Sequence, residues 1–141
     1  MKTTTQTPER KEEMRLGDEL TLVHAYSRAE AIADGVLVAV AEETSREAGI
    51  KVPVALTQAV HEAYVKVPPG VRWQDEAGRL FDILWMTRHA IQADRRGQDE
   101  VSVELYVQND NDATRPVKLK ACLGPGDSGE CVMTIMMPHE S

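Results

Sequence analysis

The four histidines are the side chains best suited to metal binding or acid–base chemistry. His61-Glu62 begins like the zinc-protease helix motif, but that motif needs a second histidine four residues later to share the metal, and position 65 is Val. His24, His89 and His139 fall in separate segments, without the close spacing of metal ligands. Local spacing therefore predicts no metal site, and only a site assembled by folding stays open. We expect His89 to be partly buried and hydrogen-bonded.

Cys122 and Cys131 flank a glycine-rich turn, residues 124–129. They have neither the CxxC spacing of redox motifs nor the partners of a four-ligand zinc site. If the flanking strands form a hairpin about residues 126–127, the two α-carbons lie about 4.4–6.8 Å apart, within reach of a disulfide. This predicts a structural pair of reduced thiols, with an oxidisable switch as the alternative.

The turn between the cysteines, GPGDSG, offers backbone amides that could hold an anion. A phosphate loop, however, leads from a strand into a helix and carries a lysine, whereas this turn leads into an apolar run and has none. The chain also lacks the G-x-S-x-G turn that presents a nucleophilic serine. We therefore expect no catalytic residue and no cofactor, and a protein that is not an enzyme.

The charge of the chain is concentrated in its middle. The formal net charge is −7, and residues 16–112 alone carry nine basic and seventeen acidic side chains. A phosphate backbone is bound by clustered Lys and Arg, so we expect no direct binding of nucleic acid. Lys118 and Lys120 form only a small basic strip. The acidity favours a basic partner protein, with simple solubility as the alternative.

Five acidic side chains are the candidate contacts for such a partner. Three lie on one short predicted helix, and two lie at the start of the longest one: Glu42, Glu43, Glu47, Asp75 and Glu76. No apolar run reaches the length of about 20 residues that spans a bilayer, and the first fifteen residues have no apolar core of a signal peptide. We therefore expect a cytoplasmic protein without membrane contact. A homodimer is compatible with the sequence.

The element that should organise the fold is a helix within Trp73–Ile91. This stretch holds both tryptophans and the only phenylalanine of a chain with 4% aromatic residues. The apolar positions follow helical spacing, and buried aromatic rings dominate core energetics. We expect Trp85 and Phe81 to be largely buried and Arg79 to face water. Asp94 to Gly97 should supply a basic last turn and a glycine cap. The helix-forming apolar residues are Leu80, Ile83, Leu84, Thr87 and Ile91.

Shorter helices are predicted upstream. Ser27 and Glu30 form a capping-box pattern that begins a helix, which Gly35 should end. Residues 36–40 are either a buried strand or the apolar entry into the next helix, because periodicity cannot separate these in so short a run. Residues 42–48 read as a helix ending at Gly49. A further helix should begin near Pro53 and carry an apolar face that includes Leu56, Val60 and Tyr64.

Strands are predicted at the C-terminus. Residues 101–107 and 117–123 alternate between apolar and polar side chains, and residues 131–137 are apolar on both faces. Turn residues separate them. The predicted fold class is α+β: N-terminal helices packed on a C-terminal three-stranded antiparallel β-meander. Residues 1–15 read as a disordered tail, residues 16–141 as a single domain, and residues 19–26 as a short strand or extended lead-in.

Three segments, 24–40, 75–86 and 124–138, resemble those of a family of uncharacterised proteins carried on bacterial plasmids, phages and integrated elements. The similarity covers most of residues 20–138. The family has no assigned activity, so the resemblance implies no catalytic residues. It implies a place on mobile elements, whose small accessory proteins often act against host defence.

These observations favour a non-enzymatic acidic protein-binding factor of a mobile genetic element. We expect it to inhibit a host defence complex, of the anti-CRISPR or anti-restriction type, by engaging a basic protein surface. The alternative is a small enzyme or ligand-binding module with a pocket between the sheet and the central helix. A contiguous acidic or apolar surface patch favours the first reading, and a deep pocket lined by perturbed ionisable groups favours the second.

Overall fold

The computed structural model describes residues 26–141, together with the backbone of residues 12–16 and 19–23. Of the predicted tail, residues 1–15, positions 1–11 lie outside the described residues. Strands β1 (Glu12–Leu16) and β2 (Glu19–Val23) pair as an antiparallel hairpin. Within the part of the chain described, no helix is long and apolar enough to cross a membrane.

A five-stranded mixed sheet and four α-helices make up the remainder. The helices are α1 (Arg28–Ala33), α2 (Glu42–Glu47), α3 (Gln58–Val60), which continues into a π-helical turn (His61–Val65), and α4 (Glu76–Ala93). The strands are β3 (Leu37–Ala39), β4 (Val54–Thr57), β5 (Glu100–Val107), β6 (Arg115–Pro125) and β7 (Cys131–Met136). The fold class is α+β.

The strand order is β3-β4-β7-β6-β5. Strands β5, β6 and β7 are antiparallel neighbours, as the predicted meander requires. They are only part of the sheet, because β4 pairs with β7 in parallel and β3 pairs with β4 antiparallel. The apolar run of residues 36–40 is therefore a strand, and β3 and β5 form the two edges of the sheet.

The helix predicted from Pro53 is wrong over its first half. Val54, Ala55 and Leu56 are all buried in β4, which lies between two other strands. A strand covered on both faces has a continuous apolar run rather than alternation, so this segment mimics a helix face. Thr57 then begins the helical turn, because its hydroxyl accepts a hydrogen bond from the Val60 amide at 3.4 Å.

The capping box that begins α1 is confirmed. The Ser27 hydroxyl accepts a hydrogen bond from the Glu30 amide at 3.0 Å, and the Glu30 carboxylate accepts one from the Ser27 amide at 2.9 Å. Arg28 joins α1 to the sheet by donating to the Thr134 hydroxyl at 2.7 Å and to the Met133 carbonyl at 2.8 Å. Its burial lowers the pKa of the guanidinium.

The backbone just after α2 lies close to the side chain of Arg88 on α4. Gly49 has a φ of +88°, which an L side chain rarely adopts. A β-carbon at this position would collide with the guanidinium end of Arg88 on α4. The glycine that ends α2 therefore also leaves room for Arg88.

Helix α4 begins as predicted and ends earlier. The Asp75 carboxylate accepts a hydrogen bond from the Gly78 amide at 2.7 Å, a usual N-terminal cap. The helix stops at Ala93 with no basic residue in its last turn. Gly97 has a φ of +64°, but it lies in the turn that follows. The Asp94 carboxylate accepts a hydrogen bond from the Gln98 amide in that turn. Hydrogen bonds from backbone amides lower the pKa of this carboxyl group.

The core lies under one face of α4, and it is aliphatic. Ile83 and Leu84 are 1% and 0% exposed, in contact with the buried face of the sheet. The expectation that Trp85 and Phe81 are largely buried is wrong: Trp85 is 41% exposed and Phe81 is only partly buried. The two rings stack on each other, with centroids 5.9 Å apart. They lie at the helix surface because the face formed by Leu80, Ile83, Leu84 and Thr87 already fills the space above the sheet.

Arg79 also departs from expectation, because it is buried rather than solvent-facing. Its guanidinium bridges the end of β5 to the π-helical turn and the loop before α4. It donates to two backbone carbonyls at 3.0 and 2.6 Å, those of Tyr64 and Gln108. Further acceptors are the Val65 carbonyl and the side chains of Gln74 and Asn109. Burial lowers the pKa of Arg79, and these acceptors offset the cost of burying its charge.

Candidate functional site

The residues suited to metal or nucleophile chemistry are dispersed. His24 lies outside the described residues. His61 belongs to the π-helical turn, His89 to α4 and His139 to the C-terminal turn. Contrary to expectation His89 is exposed; its ring lies against Trp85, with centroids 4.9 Å apart, and Nδ1 is 2.9 Å from the Trp85 carbonyl oxygen. Among the described residues, no three His, Cys, Asp or Glu side chains are grouped so that they could hold a metal ion.

The predicted pairing of Cys122 and Cys131 is wrong. In the β6–β7 register, Cys131 lies opposite Pro125 and Cys122 lies opposite Thr134. The two cysteines are therefore three positions out of register, roughly 10 Å along the strands, and on opposite faces of the sheet. The connection between the strands spans residues 126–130, a wider turn than the predicted one centred at 126–127, and this shifts the register.

We expect the two thiols to differ in reactivity. Cys131 is exposed, whereas Cys122 is partly buried, and burial raises the pKa of the Cys122 thiol. Because the thiolate is the reactive form, iodoacetamide at neutral pH should alkylate Cys131 first, as followed by intact-mass spectrometry and peptide mapping. Faster modification of Cys122, or an intramolecular disulfide in the folded protein, would contradict this arrangement.

The five candidate acidic residues fall into two groups. Glu42, Glu43 and Glu47 are exposed on α2, and Glu42 is paired with Arg46 one turn later. Asp75 and Glu76 are exposed at the start of α4, where Asp75 caps the helix. Within residues 26–141, no hydrogen bond or ion pair joins one group to the other.

A groove is lined by one of the five, Glu76, and by Val40, which precedes Glu42 by two residues. It encloses about 270 Å³ and lies between the start of α4 and the edge strand β3. We call it the acidic groove. It is lined by Val38, Ala39, Val40, Leu56, His61, Val65, Glu76, Ala77 and Leu80. Glu76 belongs to one wall, and the opposite wall leads within two residues from Val40 to Glu42. The groove thus has a mostly apolar lining that includes the Glu76 carboxylate, and helix α2 begins two residues after Val40.

A second groove lies at the other edge of the sheet, between α4 and β5. It encloses about 390 Å³, and we call it the edge groove. It is lined by Asp82, Trp85, Met86, Glu104, Leu105, Tyr106 and Pro116. Trp85, Met86 and Tyr106 are 41%, 36% and 70% exposed, so three large side chains reach solvent here. Such exposed apolar side chains are typical of interaction surfaces.

Sequence reasoning found the carboxylates and, in its alternative reading, a pocket between the sheet and the central helix, but it identified the lining of neither groove. Exposure of residues on α2 follows from local pattern, because a short helix with Glu at three of six positions faces water. The grooves depend on which strands form the sheet edges, and topology is not visible in the spacing of residues. The one available signal was the apolar run of residues 36–40 directly before the glutamates.

Comparison with known proteins assigns the chain to a family without assigning an activity. No curated protein and no solved structure shows significant similarity to it. A family model described as a family of unknown function, DUF6573, matches residues 16–141, which includes both grooves and the whole sheet. The chain therefore belongs to this family, DUF6573.

Proposed function

We propose that this protein is a non-enzymatic protein-binding factor of a mobile genetic element and that it inhibits a host defence complex of the CRISPR or restriction type. The observation that carries the protein-binding proposal is the acidic groove, whose largely apolar lining includes Glu76 and reaches Val40, two residues before Glu42. The mobile-element and host-defence parts rest on the resemblance of segments 24–40, 75–86 and 124–138 to proteins of such elements.

The chemistry of the acidic groove favours a basic partner. Val38, Val40 and Leu80 offer apolar area for a partner side chain to bury, and burial of such area is the main favourable term in association. Glu43 and Glu47 have no ion-pair partner among residues 26–141, so their charges are open to a partner. Complementary charge around an apolar centre gives orientation and a fast association rate.

The test compares two matched double reversals. Protein captured from a host lysate is purified, and its binding to immobilised wild type is measured by surface plasmon resonance at several salt concentrations. Glu43→Lys/Glu47→Lys should slow association by about tenfold or more at low salt, because long-range electrostatic steering is lost. Added salt should narrow the difference in association rate between this variant and the wild type. Asp99→Lys/Asp112→Lys makes the same change in net charge away from the groove.

Both double variants should fold normally, because exposed charges contribute little to stability. Slow association by the Glu43/Glu47 variant, together with near-wild-type association by the Asp99/Asp112 variant, would support an interaction at the acidic groove. Equal losses in both variants would reduce the acidity to a general charge effect and contradict the proposed surface, as would an association rate indifferent to salt.

A second candidate, a small ligand-binding module or enzyme, is favoured by one observation. The acidic groove lies between the sheet and the central helix, and His61 and Glu76 both line it, so a proton donor and acceptor share one concave site. In a thermal-shift screen with small metabolites, stabilisation that His61→Ala and Glu76→Gln both abolish would support this reading over the first.

A further inference from the structure

Strand β5 is an unusually open edge. It pairs with β6 in an unbroken register from Glu100 opposite Cys122 to Val107 opposite Arg115, so it contains no bulge. It contains no proline, and its inward positions Val101, Val103, Leu105 and Val107 are apolar. Proteins usually protect edge strands by shortness, bulges, prolines or inward charges. The opposite edge, β3, is only three residues long.

The direction of the free backbone groups follows from one hydrogen bond. The Leu123 amide donates to the Asp99 carbonyl at 2.7 Å, so odd-numbered residues of this segment point their backbone groups toward β6. In an antiparallel pair, the alternate residues point away. The even-numbered Gln108 fits this pattern, because its carbonyl points away from β6 and accepts a hydrogen bond from Arg79. Among residues 26–141, the outward amides and carbonyls of Ser102, Glu104 and Tyr106 meet no partner.

The side chains along this edge do not favour a basic partner. Glu104 lies 3.7 Å from the Lys118 ammonium, and Glu100 lies 4.0 Å from that of Lys120. The local charge is therefore largely balanced within the sheet. Beside it lies the edge groove, with Trp85 and Met86 exposed on α4. A neutral polar strip next to an apolar groove fits a surface like itself better than a highly charged segment.

We propose that a second copy of this chain docks here, with the two β5 strands pairing antiparallel about a two-fold axis at Val103. Each outward residue then meets an outward residue of the partner, Glu100 opposite Tyr106 and Ser102 opposite Glu104. The two five-stranded sheets become one of ten strands. The exposed faces of the two α4 helices lie on the same side of that sheet, next to the axis.

The register follows from charge. Moving the axis to Ser102 places Glu100 opposite Glu104, and moving it to Glu104 places that residue opposite itself; like charges directly opposite are destabilising. An axis beyond these positions shortens the pairing or requires the Gln108 carbonyl, which Arg79 occupies. Two-fold pairing at Val103 therefore gives the longest ladder free of directly opposed carboxylates, and it is self-complementary as an isologous interface must be.

Sedimentation velocity of the full chain, from low micromolar to near-millimolar concentration, tests the proposal. We expect a concentration-dependent monomer–dimer equilibrium. Ser102→Pro removes one outward amide from each copy and should raise the dimer dissociation constant about tenfold or more, because ladder hydrogen bonds are lost. Ser102→Ala keeps the amide and should dimerise like the wild type.

Tyr106→Asp provides a second variant whose folding is secure, because Tyr106 is 70% exposed. It places a carboxylate opposite Glu100 of the other copy and should also weaken the dimer by about tenfold or more. A protein that stays monomeric over the whole range, or a dimer that neither Ser102→Pro nor Tyr106→Asp weakens, would overturn the proposal. The acidic groove lies at the opposite edge, so these outcomes leave the proposed function to its own test.

Discussion

Leu84→Ala should lower the free energy of unfolding by about 2–5 kcal/mol, the range for removing a large aliphatic side chain from a closed core. Leu84 is 0% exposed and belongs to the cluster between α4 and the sheet. Its removal leaves a cavity that the rigid strands cannot fill. Urea denaturation followed by circular dichroism, at a concentration below any self-association, gives the change directly.

Trp85→Ala is the matched comparison on the same helix. The ring of Trp85 stacks on Phe81 at the surface, so its loss removes contact area without opening a closed cavity. We expect a cost of about 1–2 kcal/mol, based on the apolar area it covers. A larger loss for Trp85→Ala than for Leu84→Ala would mean that the aromatic face of α4, rather than its aliphatic face, holds the core together.

Arg79→Met should be comparably damaging, at about 2–4 kcal/mol. The substitution keeps much of the apolar stem of the side chain but leaves the carbonyls of Tyr64, Val65 and Gln108 without their hydrogen-bond donor. A buried acceptor without a donor costs about 1–3 kcal/mol. Arg79→Lys should recover little, because a single ammonium cannot span acceptors that surround a planar fork.

Thermal and urea unfolding of these variants are compared with Arg95→Met as the control. Arg95 is exposed in the turn after α4, so its substitution should change stability by less than about 0.5 kcal/mol. Amide exchange should also accelerate in residues 61–65 of Arg79→Met, because the π-helical turn loses its tie to β5. Stability equal to that of the control would show that the bonds of Arg79 are dispensable.

Local patterns predicted elements well where the signal was complete within a few residues. The capping box of α1, the start of α4 and the alternation of β5 each depend on neighbours in sequence. Strand β4 was missed because Val54–Leu56 is apolar throughout, and only its position between two strands distinguishes it from a helix face. The cysteine register failed for a similar reason, since one wider turn moves every cross-strand neighbour.

The surface of α4 shows a different limit. Helical spacing correctly indicated Leu80, Ile83, Leu84 and Thr87, but the expected core also included Phe81 and Trp85. A helix on one face of a sheet has room to bury only one side, and side-chain size does not decide which side it is. Arg79 was assigned to solvent because its five acceptors come from segments separated in sequence by up to thirty residues.

The proposed site was predictable in part. The exposure of Glu42, Glu43 and Glu47 follows from the sequence, and their engagement with a partner stays a prediction. That β3 and the start of α4 enclose a groove lined by Glu76 could be known only from the sheet order. The free edge of β5 likewise emerges only when β6 and β7 are known to lie on one side of it.

Amide hydrogen exchange of the purified complex with the captured partner tests the central claim most directly. Partner binding at the acidic groove should protect residues 37–47, the π-helical turn at 61–65 and the first turn of α4, and leave exchange in β5 as it is in the free protein. Protection confined to β5, or spread evenly with none at residues 37–47, would contradict the acidic groove as the binding surface.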